Sequence, residues 1–318
     1  MNELLRGLKA AAEPTRLKIL SLCAHAELTV SDLVEILDQS QPRVSRHLRL
    51  LVEAGLLQRN QEGAWAWYRL PASGTASELA HTLVDLLPEA DRHHAADLQR
   101  LQGISEGWAR RVEDYFRSHA EDWEEIRTLH VDQKSVDKAV MAALGAGRVA
   151  ALLDIGTGAG HMLLLLGDRI ERGVGVDRSA EMLAVARHKL FQAKLRNCEV
   201  RQADMTSLPF ESGSFSAATL SMVLHFAEEP AAVIAEAARI LRPGGKAVLI
   251  DFAEHEMASL REEQAHRWLG FDDHSVQKWS RAAGLGMTAK RLRGGKLTVV
   301  VWTLTLAETD PRPRTASR

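Results

Sequence analysis

Two periodicities divide the chain. Up to about residue 55, apolar residues recur at helical spacing. Thr15-Arg16-Leu17-Lys18-Ile19-Leu20 opens a helix just after Pro14, and Asp32–Leu37 forms another, with Thr29 or Ser31 as its cap. A third helix follows the turn Gln39-Ser40-Gln41-Pro42. It has Ser40 at its N-cap, Val44, Leu48 and Leu51 on one face, and Gly55 at its end. Two strands come next, Leu56–Arg59 and Ala64–Leu70, around the turn Asn60-Gln61-Glu62-Gly63. Residues 75–145 carry a long, weak helical pattern with breaks near Pro88 and Gly103, and are expected to form dimerising and connecting helices. From about residue 148 short apolar runs alternate with helical stretches. The strands fall at Ala150–Ile155, Gly173–Val176, Cys198–Gln202, Ser216–Ser221, Lys246–Phe252 and Val299–Leu306. Ala180–Leu195 and Ala231–Leu241 are examples of the helices between them, and Arg242-Pro243-Gly244-Gly245 makes a tight turn before the fifth strand. This alternation predicts a doubly wound α/β sheet.

At 318 residues the chain is long for a single hydrophobic core, so more than one domain is expected. The pattern places boundaries at 1–72, 73–146 and 147–306, with a polar, proline-containing tail at 307–318 expected to be disordered. The net charge is −2, so any nucleic-acid contact needs a local basic surface. Two cysteines, Cys23 and Cys198, exclude a secreted disulfide scaffold and favour a reducing compartment. The N-terminus lacks a signal-peptide apolar run, and no stretch approaches the roughly 18 uncharged apolar residues of a membrane span. A cytoplasmic protein with no membrane contact is the expectation.

The chemistry concentrates first at Asp154-Ile155-Gly156-Thr157-Gly158-Ala159-Gly160, which ends a strand and opens a helix. Glycines there let the backbone turn sharply and approach a ligand. Gly175-Val176-Asp177 ends the next strand, where an acid can accept both hydroxyls of a ribose, and Ala203-Asp204-Met205 ends the third, where an acid can take an adenine amino group. With Val223-Leu224-His225-Phe226 and Leu241-Arg242-Pro243-Gly244-Gly245, these motifs make residues 150–252 resemble a class I S-adenosylmethionine-dependent methyltransferase domain. The resemblance implies a Rossmann-like fold and an S-adenosylmethionine or S-adenosylhomocysteine site. Its contacts would be Asp154, Gly156, Thr157, Gly158, Gly160, Asp177, Arg178, Met182, Asp204, Met205 and Ser221. Tyr115, Trp123 and His130, in the preceding helical segment, are candidates to fold over the ligand. Departures bear on activity: Phe215 is followed by Ser216 rather than an acid, and Ser221-Met222-Val223-Leu224 offers no Asn-Pro-Pro-Tyr-like group for amine methylation. His225 is the one candidate base, weighed against a packing or ligand-contact role. Cofactor binding is therefore expected and no catalytic residue is assigned.

Residues 1–70 resemble the winged helix-turn-helix of ArsR-type bacterial regulators, through Glu13–Leu20, Ser40–Leu48 and Leu51–Leu57. The resemblance implies that the helix around Pro42–Leu51 enters the major groove and that the strand pair with Gly63 forms a wing. Between residues 39 and 70 five arginines (43, 46, 49, 59 and 69) face two glutamates (53 and 62), a local excess of three positive charges. Ser40, Gln41, Arg43, Ser45, Arg46, His47 and Arg49, with Arg59 and Trp65 on the wing, are the expected contacts to double-stranded operator DNA. Gln41, Arg43, Ser45, Arg46 and His47 are read as the outer face. Metal-sensing relatives carry cysteines at the helix that here holds Val30-Ser31-Asp32-Leu33, and Asp91, His93 and His94 lack the i, i+4 spacing of a helical metal site, so no metal is expected. Together the two halves resemble ArsR-type regulators fused to a methyltransferase-like domain. That implies a homodimeric repressor that reports S-adenosylhomocysteine or S-adenosylmethionine to methionine-cycle genes. The alternative is an active small-molecule methyltransferase with a regulatory domain attached.

Overall fold

The computed structural model describes residues 1–62, 65–71, 74–88, 92–118, 132–263 and 266–308, of which residues 92–93, 108–118 and 262–263 through the backbone alone. Contacts divide the chain into two units. One comprises Met1–Glu113 with Arg187–Arg201, the other Asp114–Ala186 with Gln202–Arg318.

The first unit is built on α1 (Asn2–Ala11), α2 (Pro14–His25), β1 (Leu28–Thr29), α3 (Val30–Leu37), α4 (Gln41–Glu53), β2 (Gln58–Glu62), β3 (Trp65–Arg69), α5 (Thr75–Asp85) and α6 (Arg92–Ser118). Local chemistry starts these helices. The Glu13 carboxylate accepts the Arg16 amide at 2.9 Å ahead of α2. Of the two possible caps of α3, Thr29 takes the role, in a reciprocal box with Asp32. Ile19, Leu33, Ile36, Val44, Leu48 and Leu51 close one buried core. The strands order as β1-β3-β2, all antiparallel. Two expectations need correction. The first wing strand begins at Gln58, not Leu56, because Gly55 turns with φ +77° and the amides of Leu56 and Leu57 bond back to the Leu51 carbonyl, which sends both leucines into the core. Gly103 does not break a helix but lies inside α6, where the run of hydrogen bonds outweighs its modest propensity cost.

Residues 187–201 add a buried ionic cluster to this unit. Arg187 donates to both Glu62 carboxylate oxygens (2.7 and 2.8 Å) and to Glu27 Oε2 (2.9 Å), with its guanidinium 3.7 Å above the Trp67 ring. Arg69 reaches Glu199 at 2.6 Å and Arg201 reaches it at 3.0 Å. Burial pushes the Glu27 carboxyl up, against the pull of Arg187 and Arg69.

The second unit carries β4 (Val149–Ile155), β5 (Ile170–Asp177), β7 (Phe215–Ser221), β8 (Leu241–Phe252), β9 (Leu285–Leu292) and β10 (Val299–Leu306); β6 (Cys198–Gln202) completes a seven-stranded sheet of order β6-β5-β4-β7-β8-β10-β9. The pairs β4–β5, β4–β7 and β7–β8 are parallel, while β10 runs antiparallel to β8 and β9. Alternation builds the two layers: Ala247, Leu249, Val300, Trp302 and Leu304 enter one core, and Val248, Ile250, Phe252, Val299 and Val301 the other. This is a mostly parallel, Rossmann-like sheet. Arg242–Gly245 belong to β8 rather than to a turn before it, and the register with β7 shifts between Phe215 and Ala217 to absorb them. β9 went unpredicted because only its first residue is buried, which leaves no apolar alternation to read.

Candidate functional site

The C-terminal ends of the parallel strands carry a cavity of about 580 Å³, within the range of small-molecule sites. The order β5-β4-β7-β8 arranges its walls. Val176 and Asp177 end β5, with Arg178 and Met182 beyond them; Asp154 lies at the end of β4, with Gly156–Gly158 beyond it; Ser221 ends β7, with Met222, Val223, His225 and Phe226 beyond it; and Phe252 ends β8. Ala203, Met205, Leu260 and His266 complete these sides.

The turn after β4 is held from both ends. The amides of Gly156 and Thr157 donate to the Val176 carbonyl at 2.8 and 2.9 Å. Gly156 adopts φ +70°, and a Cβ on it would lie 2.2 Å from Val223 Cγ2, so only glycine fits. A Cβ on Gly158 would instead project into open space, which leaves the backbone there accessible to a ligand. Asp154 is sealed beneath the turn. Its Oδ2 accepts the Thr157 hydroxyl at 2.6 Å and its Oδ1 the Thr219 hydroxyl at 2.7 Å. Burial pushes this carboxyl up to about 6 despite both hydroxyls. Asp177 accepts the amides of Gly158 and Ser179, each at 2.9 Å, and the Ser179 hydroxyl caps Met182 at 3.1 Å.

Asp154, Gly156, Thr157, Gly158, Asp177, Arg178, Met182, Met205 and Ser221 all border the cavity. Two further candidates do not. Gly160 sits at the start of the helix His161–Leu166 with φ +81°, shaping the turn. Asp204 turns its carboxylate to the hydroxyl and amide of Thr206 (2.6 and 2.8 Å), which hold it below the usual carboxylate range. Its neighbours Ala203 and Met205 reach the cavity instead. Trp123 and His130 lie outside the described residues, as does the side chain of Tyr115, a residue of α6.

His225 borders the cavity in a setting that its sequence neighbours did not reveal. Nδ1 lies 2.7 Å from Asp251 Oδ1, and the His225 amide donates to Asp251 Oδ2 at 3.2 Å. Asp251 is twenty-six residues away, in the apolar stretch of β8, and only the parallel pairing of β7 with β8 brings it there. A lone acid in the otherwise apolar run Ala247–Phe252 was the available sign.

On the first unit, α4 presents Gln41, Arg43, Ser45, Arg46 and Arg49 outward, with Ser40 exposed at its start. His47 is a correction: at 12% side-chain exposure it turns inward, 3.7 Å from Glu13, and burial holds its imidazole below the usual value. One helical step of 100° from Arg46 brings position 47 beside Val44 and Leu48 rather than the outer row. Arg49 pairs with Glu53 along the helix. Arg59 and Trp65 are exposed on the hairpin, whose tip, Gly63, lies outside the described residues. Among the described residues no group of three or more His, Cys, Asp or Glu is placed to hold a metal ion, and no helix is long and apolar enough to cross a membrane.

Comparison with known proteins finds two separate matches along the chain. Residues 13–59 match the family model of the bacterial regulatory protein, arsR family, and residues 153–249 match that of a methyltransferase domain. Two parts of the chain thus resemble, in order, an arsR-type helix-turn-helix and a methyltransferase domain. Among individual relatives, the arsenical resistance operon repressor of Escherichia coli is 52% identical over 63 residues, covering 20% of this chain and 54% of that protein. The demethylmenaquinone methyltransferase of Lactococcus lactis is 30% identical over 146 residues, covering 44% and 58%. The solved structure of YcgJ from Bacillus subtilis superimposes with a TM-score of 0.48 at 19% identity, over 54% of this chain and 98% of that one. The chain spans from 34% to 66% of the length of the curated relatives it matches.

Proposed function

We propose that this protein is a DNA-binding transcription regulator whose methyltransferase-fold unit binds S-adenosylhomocysteine or S-adenosylmethionine and reports that ligand to the DNA. The observation that carries this is the co-occurrence, in one chain, of an outward row of Gln41, Arg43, Ser45 and Arg46 on α4 with a cavity bordered by the Gly156–Gly158 turn and Asp177. The residues suit such a nucleoside. Asp177 offers carboxylate oxygens to ribose hydroxyls, Gly158 exposes backbone, and Val176, Met182, Ala203 and Met205 give an apolar bed for a base. Asp204 does not border the cavity, so the adenine contact falls to its two neighbours.

The protein acts as a homodimer, reading two half-sites about one helical turn apart, with Arg and Gln on base edges and the remaining contacts on phosphates. A coupling of about 1–3 kcal/mol between the two sites gives a 5–150-fold change in DNA affinity, enough for control of methionine-cycle genes.

The test is calorimetric titration of the full chain with the two nucleosides in parallel, followed by DNA binding to a duplex selected by the protein from genomic fragments. Nucleoside binding with a changed DNA affinity supports the reading. Equal DNA affinity with and without saturating nucleoside overturns it.

A further inference from the structure

We propose that the cavity contains an acceptor subsite centred on His225 and Asp251, at which a small, uncharged, planar molecule bearing an acidic hydroxyl is methylated on oxygen. The proposal rests on the reading that the adjoining part of the cavity takes an S-adenosyl nucleoside, and adds an activity that this reading does not require.

The His225–Asp251 pair is costly to build. The side chains are 3% and 0% exposed, and Asp251 stands between Ile250 and Phe252 in a strand segment that is otherwise apolar. Burying a carboxylate there costs several kcal/mol unless donors surround it. Three do: His225 Nδ1 at 2.7 Å and the Phe252 amide at 2.8 Å on Oδ1, and the His225 amide at 3.2 Å on Oδ2. What the pair achieves is orientation. With its Nδ1 proton directed at Asp251, His225 has Nε2 as the basic nitrogen of an imidazole that borders the cavity.

The surroundings fix the ring further and choose the partner. The His225 carbonyl accepts the amides of Arg267 (3.0 Å) and Trp268 (3.2 Å), which ties its loop to a second segment. The His266 ring stacks on it at 3.9 Å and 19°, and the Phe226 ring lies 4.2 Å away. Met222, at the start of this loop, is held at φ +53°, an unfavourable conformation for a side chain of its size and one that recurs at functional sites. Phe226, Phe252 and Leu260 supply apolar wall, and none of the described residues on this side of the cavity is a lysine, arginine or glutamate. Among the described residues, none on this side offers a lysine or arginine to compensate an anionic group, while stacked flat rings favour a flat guest.

In the reaction, the acceptor oxygen attacks the methyl carbon of a sulfonium nucleoside. An O–C bond forms as the S–C bond breaks, and the O–H proton passes to His225 Nε2. The imidazolium is countered by Asp251, and the products are a methyl ether and a thioether nucleoside. His225 is thus the catalytic base and Asp251 a positioning residue.

The test uses the full chain. 4-Nitrophenol, whose ionised form absorbs at longer wavelength, is titrated first without any methyl donor. The wild type should bind it and shift its absorbance toward the ionised form. His225→Gln should bind without the shift, and Asp251→Asn should need a higher pH to reach it. Methyl-labelled S-adenosylmethionine is then supplied with 4-nitrophenol, catechol and 4-methylumbelliferone in turn. Labelled ether should form, fall by about 100-fold or more in His225→Gln, and show an altered pH profile in Asp251→Asn. Circular dichroism spectra matching the wild type establish that both variants are folded. The proposal is overturned if the wild type binds no phenol, if bound nitrophenol stays neutral, if no ether forms, or if His225→Gln transfers methyl as well as the wild type. Absence of nucleoside binding would instead overturn the ligand reading above, and the donor-free titration would still decide the acceptor subsite.

Discussion

Asp177 grips Gly158: its Oδ2 accepts the Gly158 amide at 2.9 Å while its Oδ1 accepts that of Ser179, so one carboxylate braces the turns after both β4 and β5. The same side chain borders the cavity, so the group expected to meet a ribose also sets the shape of the turn beneath it. Asp177→Ala should therefore lower S-adenosylhomocysteine affinity by about tenfold or more, the scale of a charged hydrogen bond. DNA binding without ligand should persist. Calorimetry beside a DNA-binding titration checks both halves.

Asp154 gives a pH signature. Its folded pKa of about 6 stands above the ordinary 3.8, so between those values the folded chain keeps a proton that the unfolded chain has lost. Its contribution to stability is full below that window and falls as pH rises through it, by up to about 3 kcal/mol in all. Urea unfolding from pH 4 to pH 7 should show this downward component in the wild type and lack it in Asp154→Asn. The difference between the two proteins is the quantity to read, because other carboxylates contribute slopes of their own.

The exposed row on α4 and the inward His47 predict opposite behaviour for adjacent residues. Arg46→Ala should weaken DNA binding and reduce the salt slope by about one if it meets a phosphate. His47→Ala should leave that slope unchanged, because its imidazole faces Glu13 and the core, and should cost stability instead. Binding measured across a range of salt concentrations separates them.

In the first unit, Glu62 holds Arg187 with both oxygens, and both side chains are buried. Glu62→Ala should destabilise the chain by about 3 kcal/mol or more, since it strands part of a buried guanidinium. Glu62→Gln, which keeps one acceptor, should cost less. The comparison is made by urea unfolding at pH 7.

Periodicity and turn chemistry alone determined the α4 helix with Val44, Leu48 and Leu51 inward, and the glycine turn between β4 and the helix after it. These depend on interactions a few residues long: a cap, a left-handed glycine, an alternation of faces. Residues next to one another in sequence could be read for the same reason, as with Asp177 at its strand end. Tertiary structure decided what depends on contacts between distant segments. It turned His47 to Glu13, turned Asp204 away from the cavity to Thr206, and set Asp154 under the turn between two hydroxyls, one of them sixty-five residues away. It also paired His225 with Asp251, which no local pattern could announce, because the partner is chosen by the register of two parallel strands and that register is fixed by the packing of the whole sheet.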